Sequence, residues 1–377
     1  MKKIIILIGI ILIPLRVFAS DNLLENAKSG ILMEYSTGKI LYEKESDQKM
    51  APASMTKIMT MLLIFEALES KKISLNDYVT ISPYASSMGG SQVYLEPNTN
   101  MKVEDLLKSI AIASANDSAV ALAEAISGTT DAFVNKMNQK AKALGCINTN
   151  FTNVHGLDDN NHYSTSKDMA LIARELIKHE DVLKYSSIYE SYLKKPDGSS
   201  TWMVNTNKLI KYYHGLDGLK TGYTTKAGYC LTATAKRNDM RLISVIMDEP
   251  SSEIRNSETI DLLNYGFTNY KIKSILTKED DLGYIEVING KKDKVNIRLL
   301  EDATNLEEIN EDNKYTYNIN VNSIKAPVKV GDVVGSLDIV VNSKVIKKVD
   351  ITVVEDVKKA NIWDLYKKNI KLLLGGN

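Results

Sequence analysis

Ser54-Met55-Thr56-Lys57 opens the run Ile58-Met59-Thr60-Met61-Leu62-Leu63-Ile64-Phe65-Glu66-Ala67-Leu68-Glu69-Ser70, which holds more apolar side chains than one helical stripe can carry. The pattern predicts a helix from Ser54 to Ser70, buried nearly all round at the centre of a domain. At its start, Ser54 and Lys57 stand at positions i and i+3 and share a helix face, so hydroxyl and amine can meet. A serine is a weak nucleophile until a neighbouring base takes its proton, and a poorly solvated lysine can serve as that base. The amino end of the helix adds a potential that favours developing negative charge. The same residues also fit a plain alternative, in which Ser54 only caps the helix.

Upstream, Gly30-Ile31-Leu32-Met33 and Ile40-Leu41-Tyr42 flank the turn Ser36-Thr37-Gly38-Lys39 and predict a hairpin. Downstream, helices are expected at Lys102 to Ala113, Asp117 to Ile126, Asp131 to Leu144 and Ser166 to His179, and strands at Tyr229 to Ala235 and Arg241 to Met247. After Tyr270 the composition turns to short β-branched segments: Tyr284 to Ile288, Val295 to Leu299, Tyr315 to Val321, Val328 to Val334 and Lys344 to Val354. They predict a small all-β sandwich over residues 272–357, without a cluster of groups able to do chemistry.

Both ends read differently. Met1-Lys2-Lys3, the apolar run Ile4 to Leu15, and then Val17-Phe18-Ala19-Ser20 predict a signal peptide over residues 1–20; an uncleaved anchor is the alternative. The mature chain is expected to work outside the cytoplasm. On a helix, Ile362, Trp363, Leu365, Tyr366, Ile370, Leu372, Leu373 and Leu374 gather on one side, and Asp364, Lys367, Lys368 and Lys371 on the other. Residues 358–377 therefore predict an amphipathic helix suited to lying in a membrane surface, with docking on its own protein as the alternative.

The 377 residues, 44% apolar and 25% charged, exclude a disordered or collagen-like chain. With 47 basic and 47 acidic residues there is no basic excess to argue for nucleic acid. Only Cys146 and Cys230 are present, far apart, so neither a disulfide scaffold nor a paired-cysteine metal site is expected.

Two further motifs carry polar groups suited to catalysis. Ser114-Ala115-Asn116 lies between two predicted helices, where a hydroxyl and an amide could relay a proton and hold a carbonyl, or could merely cap. Lys220-Thr221-Gly222 combines a cation, a hydroxyl and a residue without a side chain, which suits an edge strand pairing with a substrate that ends in a carboxylate. It is not a phosphate-binding loop, because Leu219 precedes the lysine where that motif needs glycine.

The ordered set Ser-x-x-Lys, Ser-x-Asn and Lys-Thr-Gly behind an export signal resembles the penicillin-recognising serine enzymes. The surroundings Ala51-Pro52-Ala53-Ser54, Asn116-Asp117-Ser118-Ala119, His155-Gly156-Leu157-Asp158, Tyr163-Ser164-Thr165-Ser166-Lys167-Asp168-Met169-Ala170 and Gly218-Leu219-Lys220-Thr221-Gly222-Tyr223-Thr224 narrow the resemblance to low-molecular-mass, S11-type D-alanyl-D-alanine carboxypeptidases. It implies an α+β catalytic domain over residues 21–271, with an antiparallel sheet and helices on both sides. It also implies action on peptidoglycan stem peptides through an acyl-enzyme on Ser54, with β-lactams as covalent inhibitors and no metal or cofactor. Under it Lys57 is the base, Ser114 relays the proton, Asn116, Lys220, Thr221 and Gly222 bind substrate, and the backbone of Ser54 and Tyr223 forms an oxyanion hole. Many members carry histidine where Tyr223 stands. Arg255 lies where relatives have a carboxylate-binding arginine, though no motif surrounds it.

The rivals lack their signatures. No glutamate occurs from Ser127 to Arg174 to activate water as in a class A β-lactamase. A zinc site built on His155, His162, Asp158 and Asp159 has no His-Glu-x-x-His, and a Ser-His-Asp hydrolase has no Gly-x-Ser-x-Gly elbow. A wall-binding protein without turnover is the remaining alternative.

Overall fold

The computed structural model describes residues 22–311, 313–364, 366 and 370. The expected signal peptide and the tail positions Leu365, Lys367, Lys368, Lys371, Leu372, Leu373 and Leu374 lie outside the described residues.

Strands β1 (Ser29–Glu34) and β2 (Ile40–Lys44) form the expected hairpin. Its turn is held by Glu34, whose carboxylate accepts from the backbone N–H of Ser36 at 2.8 Å and of Thr37 at 2.7 Å. The central helix does not begin as an α-helix: Ala53–Thr56 form a 3-10 turn that passes into α1 (Lys57–Glu69). That tighter winding eclipses side chains three apart, so it sets Ser54 over Lys57 more closely than α-helical geometry would. Every residue of α1 from Lys57 to Phe65 is buried, as the apolar run required.

Beyond it, β3 (Tyr78–Thr80) and β4 (Asn100–Lys102) pair around α2 (Pro83–Ser86), and α3 (Val103–Ala113), α4 (Asn116–Ser127), α5 (Thr130–Ala143) and α6 (Ser166–Ile177) follow. Thr129 and Thr165 cap α5 and α6, each accepting a backbone N–H three residues on. A short α7 (Val182–Ser186), the hairpin β5 (Glu190–Lys194) and β6 (Ser200–Val204), and α8 (Leu209–Tyr212) lead to β7 (Leu216–Thr224), β8 (Gly228–Arg237) and β9 (Met240–Glu249). The main sheet is antiparallel in the order β2-β1-β9-β8-β7.

Side chains alternate across that sheet and bury both faces. Ile31, Met33, Ile243, Val245 and Met247 join the core of α1 and its neighbouring helices. Leu32, Leu231, Ala233, Leu242 and Ile246 face the other way and meet Leu262 and Leu263 of α9 (Ser252–Asn269). Helices thus lie on both sides of the sheet. The periodicity did not reveal α9, because its buried positions include Arg255, Glu258 and Thr259 beside its leucines, which dilutes the apolar stripe.

The chain then runs through β10 (Tyr270–Leu276), β11 (Tyr284–Ile288), β12 (Lys294–Leu299), β13 (Ala303–Glu308), β14 (Tyr315–Val321), β15 (Ile324–Lys325), β16 (Gly335–Val341) and β17 (Lys344–Val353). Six of these form a sheet in the order β14-β16-β17-β12-β11-β15, and β10 pairs with β13. Ile275, Leu276 and Ala303 of that pair pack on the six-stranded sheet's core, whereas Ile272 and Leu306 pack on the α9 side of the catalytic domain. The two-stranded pair therefore ties both units together. The expected strand at Val328 to Val334 is a correction. Only Val328 makes a bridge there, to Val357, and a turn at Gly331 (φ +99°) with Lys329 N donating to the Asp332 carboxylate breaks the run. The strand falls instead at β16.

Candidate active site

The turn bearing Ser54 and Lys57 meets the Lys220-Thr221-Gly222 strand, and α3 and α4, which flank Ser114-Ala115-Asn116, pack against α1. Lys57 Nζ lies in hydrogen-bond contact with Ser54 Oγ at 3.0 Å and donates to the His155 carbonyl at 2.8 Å. Lys57 is wholly buried. Burial first, and then the charge of Lys220, holds its amine well below the ordinary lysine range; Asp117 acts the other way. An amine kept neutral beside a hydroxyl is able to take its proton. Ser54 makes no side-chain cap bond, since the 3-10 turn is entered at Pro52.

The strand bearing Lys220, Thr221 and Gly222 is β7, at the edge of the sheet. It presses on the turn that carries Ser54: a Cβ at Gly222 would stand 2.8 Å from the Pro52 carbonyl oxygen and 3.1 Å from Ala53 Cβ. Lys220 is also buried, and burial with the nearby Arg255 charge lowers it to about 7. The Thr221 hydroxyl donates to Thr206 Oγ1 at 2.7 Å, and Thr224 Oγ1 donates to Asp158 at 2.8 Å. Tyr223 is exposed, its ring against that of Tyr229 with centroids 4.4 Å apart.

Ser114 ends α3 in the left-handed conformation (φ 62°), and Asn116 begins α4. Neither side chain caps a helix. Ser114 Oγ and Asn116 Oδ1 are buried and make no hydrogen bond among the described residues, while Asn116 Nδ2 donates to the Gly89 carbonyl at 2.7 Å. The buried Asp117 carboxylate accepts from the backbone N–H groups of Val93, Leu95 and Ser118, pinning the 89–95 loop beside Asn116.

Arg255 lies on α9, buried, with Nε and Nη2 donating to Asn256 Oδ1 at 3.2 and 2.8 Å. Its charge bears on Lys220, and its side-chain hydrogen bonds go to Asn256 rather than to Ser54. The sequence reading missed the structural use of His155-Gly156. Gly156 takes φ +90°, and a Cβ there would collide with the Ala53 carbonyl, so only glycine lets this segment present the His155 carbonyl to Lys57. The glycine beside His155 was the available signal.

His162, weighed as a metal ligand, bonds Thr56 Oγ1 through Nε2 at 2.7 Å and accepts from Thr152 N through Nδ1 at 3.0 Å. His155 Nδ1 accepts from Leu157 N at 3.2 Å. Burial lowers these two imidazoles to about 4 and about 3. Both rings lock the loop that supports Lys57.

A family model described as D-alanyl-D-alanine carboxypeptidase matches residues 17–251. The chain belongs to the D-alanyl-D-alanine carboxypeptidase family. It is accordingly a serine-type peptidase, a hydrolase. A second model, the C-terminal domain of penicillin-binding protein 5, matches residues 270–359. The chain is 43% identical over 353 residues to D-alanyl-D-alanine carboxypeptidase DacF of Bacillus subtilis, covering 93% of this chain and 91% of that one. It is 35% identical to DacC of Escherichia coli over 368 residues, covering 92% of this chain and 90% of that one. Among solved structures, penicillin binding protein 5 from Haemophilus influenzae is 34% identical with a TM-score of 0.71, covering 89% of this chain and 98% of that one. A penicillin-binding protein of Listeria monocytogenes, solved in an ampicillin-bound form, is 33% identical with a TM-score of 0.58, covering 64% of this chain and 97% of that one.

Proposed function

We propose that this carboxypeptidase removes the terminal D-alanine of peptidoglycan stem peptides, with Ser54 as nucleophile and Lys57 as general base. The observation that carries the assignment is the buried Lys57 amine, held well below its ordinary range, at 3.0 Å from Ser54 Oγ. Lys57 takes the hydroxyl proton as Ser54 Oγ attacks the carbonyl between the two D-alanines. Backbone N–H groups of Ser54 and Tyr223 receive the oxyanion. The C–N bond then breaks, the proton passes through Ser114 to the leaving amine, and free D-alanine departs. Water hydrolyses the ester on Ser54 and restores the enzyme. Asn116 and the Lys220-Thr221-Gly222 strand hold the peptide. Lys220, Thr221 and, at longer range, the charge of Arg255 attract its terminal carboxylate.

A β-lactam presents an amide beside a carboxylate to the same groups and forms a long-lived ester. Mass spectrometry is expected to find one penicilloyl group on the peptide containing Ser54, and Ser54→Ala to abolish both it and D-alanine release. A Ser54→Ala protein that still releases D-alanine overturns the assignment.

The enzyme works at the outer face of the cell membrane, exported by residues 1–20 and held there by its tail. Ile362, Trp363, Tyr366 and Ile370 are exposed, which supports an apolar face free to enter a lipid surface. Among the described residues no helix is long and apolar enough to cross a membrane.

A further inference from the structure

The hairpin β5–β6 has one face in the core and one with no layer over it among the described residues. Leu193 and Met203 point inward and join the helical core. On the outward face Tyr192 and Trp202 are direct cross-strand partners, 67% and 59% exposed. The Trp202 ring is not loose, because its indole N–H donates to Glu190 Oε2 at 3.1 Å. Two exposed amphipathic rings on one face of the hairpin, one of them held by a hydrogen bond, offer aromatic surface that folding itself does not use.

Two segments link this hairpin to the elements of the cleft. Four residues beyond Trp202, Thr206 receives the Thr221 hydroxyl at 2.7 Å, so an extended chain puts Trp202 within about 13 Å of the substrate strand. At the hairpin tip, Lys195 Nζ donates to the Tyr94 carbonyl at 3.0 Å, tying it to the same loop whose Gly89 carbonyl orients Asn116. Within the hairpin the charges balance, Glu190 and Asp197 against Lys194 and Lys195. A hairpin without net charge is poorly suited to anionic lipid or an anionic polymer. Sugar rings present C–H faces that stack on aromatic planes, and hydroxyl and amide groups that bond to polar residues at their edges.

We infer that Tyr192 and Trp202 form a glycan platform that binds the polysaccharide strand carrying the stem peptide, while the peptide reaches Ser54. The inference rests on the proposed substrate, and it assigns to the hairpin a preference for polymeric over free peptide substrate.

The test uses the full exported chain with Tyr192→Ala and Trp202→Ala combined, and a control with Tyr192→Phe and Trp202→Phe combined. In the Ser54→Ala background, peptide-free glycan chains released from peptidoglycan are expected to bind and quench tryptophan fluorescence. In the alanine pair, co-sedimentation with insoluble glycan is expected to fall at least tenfold, and the phenylalanine pair is expected to retain most of it. In the active enzyme the alanine pair is expected to lose at least tenfold in D-alanine release from intact peptidoglycan, but less than twofold with a soluble peptide ending in D-alanyl-D-alanine. Equal glycan binding by the alanine pair and the unaltered protein overturns the platform, as does binding of this face to lipid vesicles or to a second copy of the chain in place of glycan. The glycan-binding arm needs no turnover, so failure of the peptidase assignment shows separately, as absence of D-alanine from both substrates.

Discussion

Lys220 and Lys57 are both buried, and the positive charge of Lys220 is, after burial, the largest influence holding the Lys57 amine below the ordinary lysine range. The two amines come from different elements, one from the first turn of the central helix and one from the edge strand. Bringing them together costs folding energy, since neither is free to be an ordinary solvated cation. That cost is the source of the chemistry: one amine becomes a base, and the other is poised to gain a proton when a carboxylate arrives.

The poise of Lys220 predicts a pH dependence. Burial and the Arg255 charge put it at about 7 in the free enzyme, and only its ammonium form pairs with a carboxylate. As pH rises above about 7, KM for a peptide ending in D-alanyl-D-alanine is expected to increase, approaching tenfold per unit in the limit where only the charged form binds, with kcat less affected. Lys220→Arg keeps the charge and is expected to flatten that limb. A KM that stays level in the unaltered enzyme from about pH 6 to 9 refutes this use of Lys220.

Lys57→Met is expected to slow penicillin acylation by ~10²–10⁴, the usual contribution of a general base. Its stability signature has a definite sign. The lowered lysine is neutral in the folded protein and charged when unfolded, so between its folded value and about 10.4 the unfolded chain binds the extra proton and stability rises with pH. The methionine variant lacks that slope. Its Tm relative to the native enzyme is therefore expected to drop as pH rises from about 7 towards 10, which scanning calorimetry can follow; a constant offset contradicts a neutral Lys57.

Much of this architecture was legible because burial leaves period in sequence. The apolar run of α1 marked the central helix, and the helices from α3 to α6 lie within a residue or two of their expected bounds. Ser54, Lys57, Ser114 and Lys220 were legible as types and spacings, yet the approach of the Lys220 strand to the Ser54 turn depends on long-range packing. Nothing local in Lys220-Thr221-Gly222 says that it will press on Pro52, and the 3-10 start of the helix shows only in three dimensions. Helix α9 escaped because it buries Arg255 and Glu258 where a simple amphipathic stripe would hold leucine. In the β unit, β-branched residues alone misplaced one strand, since the Gly331-Asp332 turn outweighed the propensity of Val328, Val330, Val333 and Val334.

The packing at Gly222 leaves no room for a methyl group. Because the nearest obstacle to a Cβ is the Pro52 carbonyl, a backbone atom, Gly222→Ala has to push β7 away from the turn that carries Ser54. Overpacking of this kind costs ~1–3 kcal/mol, which a domain of this size tolerates. A displacement approaching an ångström in the site slows reaction on the order of 10²-fold. Gly222→Ala is thus expected to fold, by circular dichroism, while acylating with penicillin about a hundredfold more slowly; native acylation kinetics would show that the contact is not needed.

Deletion of the tail tests the membrane reading. The β unit holds the chain as far as Ala360, whose N–H donates to the Asn289 carbonyl at 2.8 Å, and Lys358 O accepts from Lys291 N at 2.8 Å. The cut therefore belongs after residue 360. The shortened enzyme is expected to leave lipid vesicles for the supernatant while its turnover of a soluble peptide changes less than twofold. Continued sedimentation with vesicles assigns the anchor to another part of the chain.

The last prediction concerns two carboxyl groups away from the cleft. Glu249 at the end of β9 and Glu258 on α9 are both buried, and Glu249 is held up to about 8 by burial first and then by the neighbouring Glu258 carboxylate, with Lys44 and Arg255 opposing. Glu258 is the ionised member: it accepts from Asn26 N at 2.9 Å, Asn26 Nδ2 at 2.8 Å and Ala27 N at 3.3 Å, and so ties the N-terminal segment to the sheet. A carboxyl raised above its unfolded value of about 4.3 binds a proton in the folded state that the unfolded chain has released. Its contribution is complete at low pH and is lost as pH climbs towards about 8. Glu249→Gln keeps a hydrogen-bond donor beside Glu258 and removes the titration. The variant is expected to gain Tm relative to the native enzyme as pH rises from about 5 to 8, and the protection of the Asn26 and Ala27 amides, taken relative to their base-catalysed intrinsic exchange, is expected to fall with pH only in the native chain. Parallel Tm curves for the two proteins across that range would mean that Glu249 is already ionised and that the pair does not share a proton.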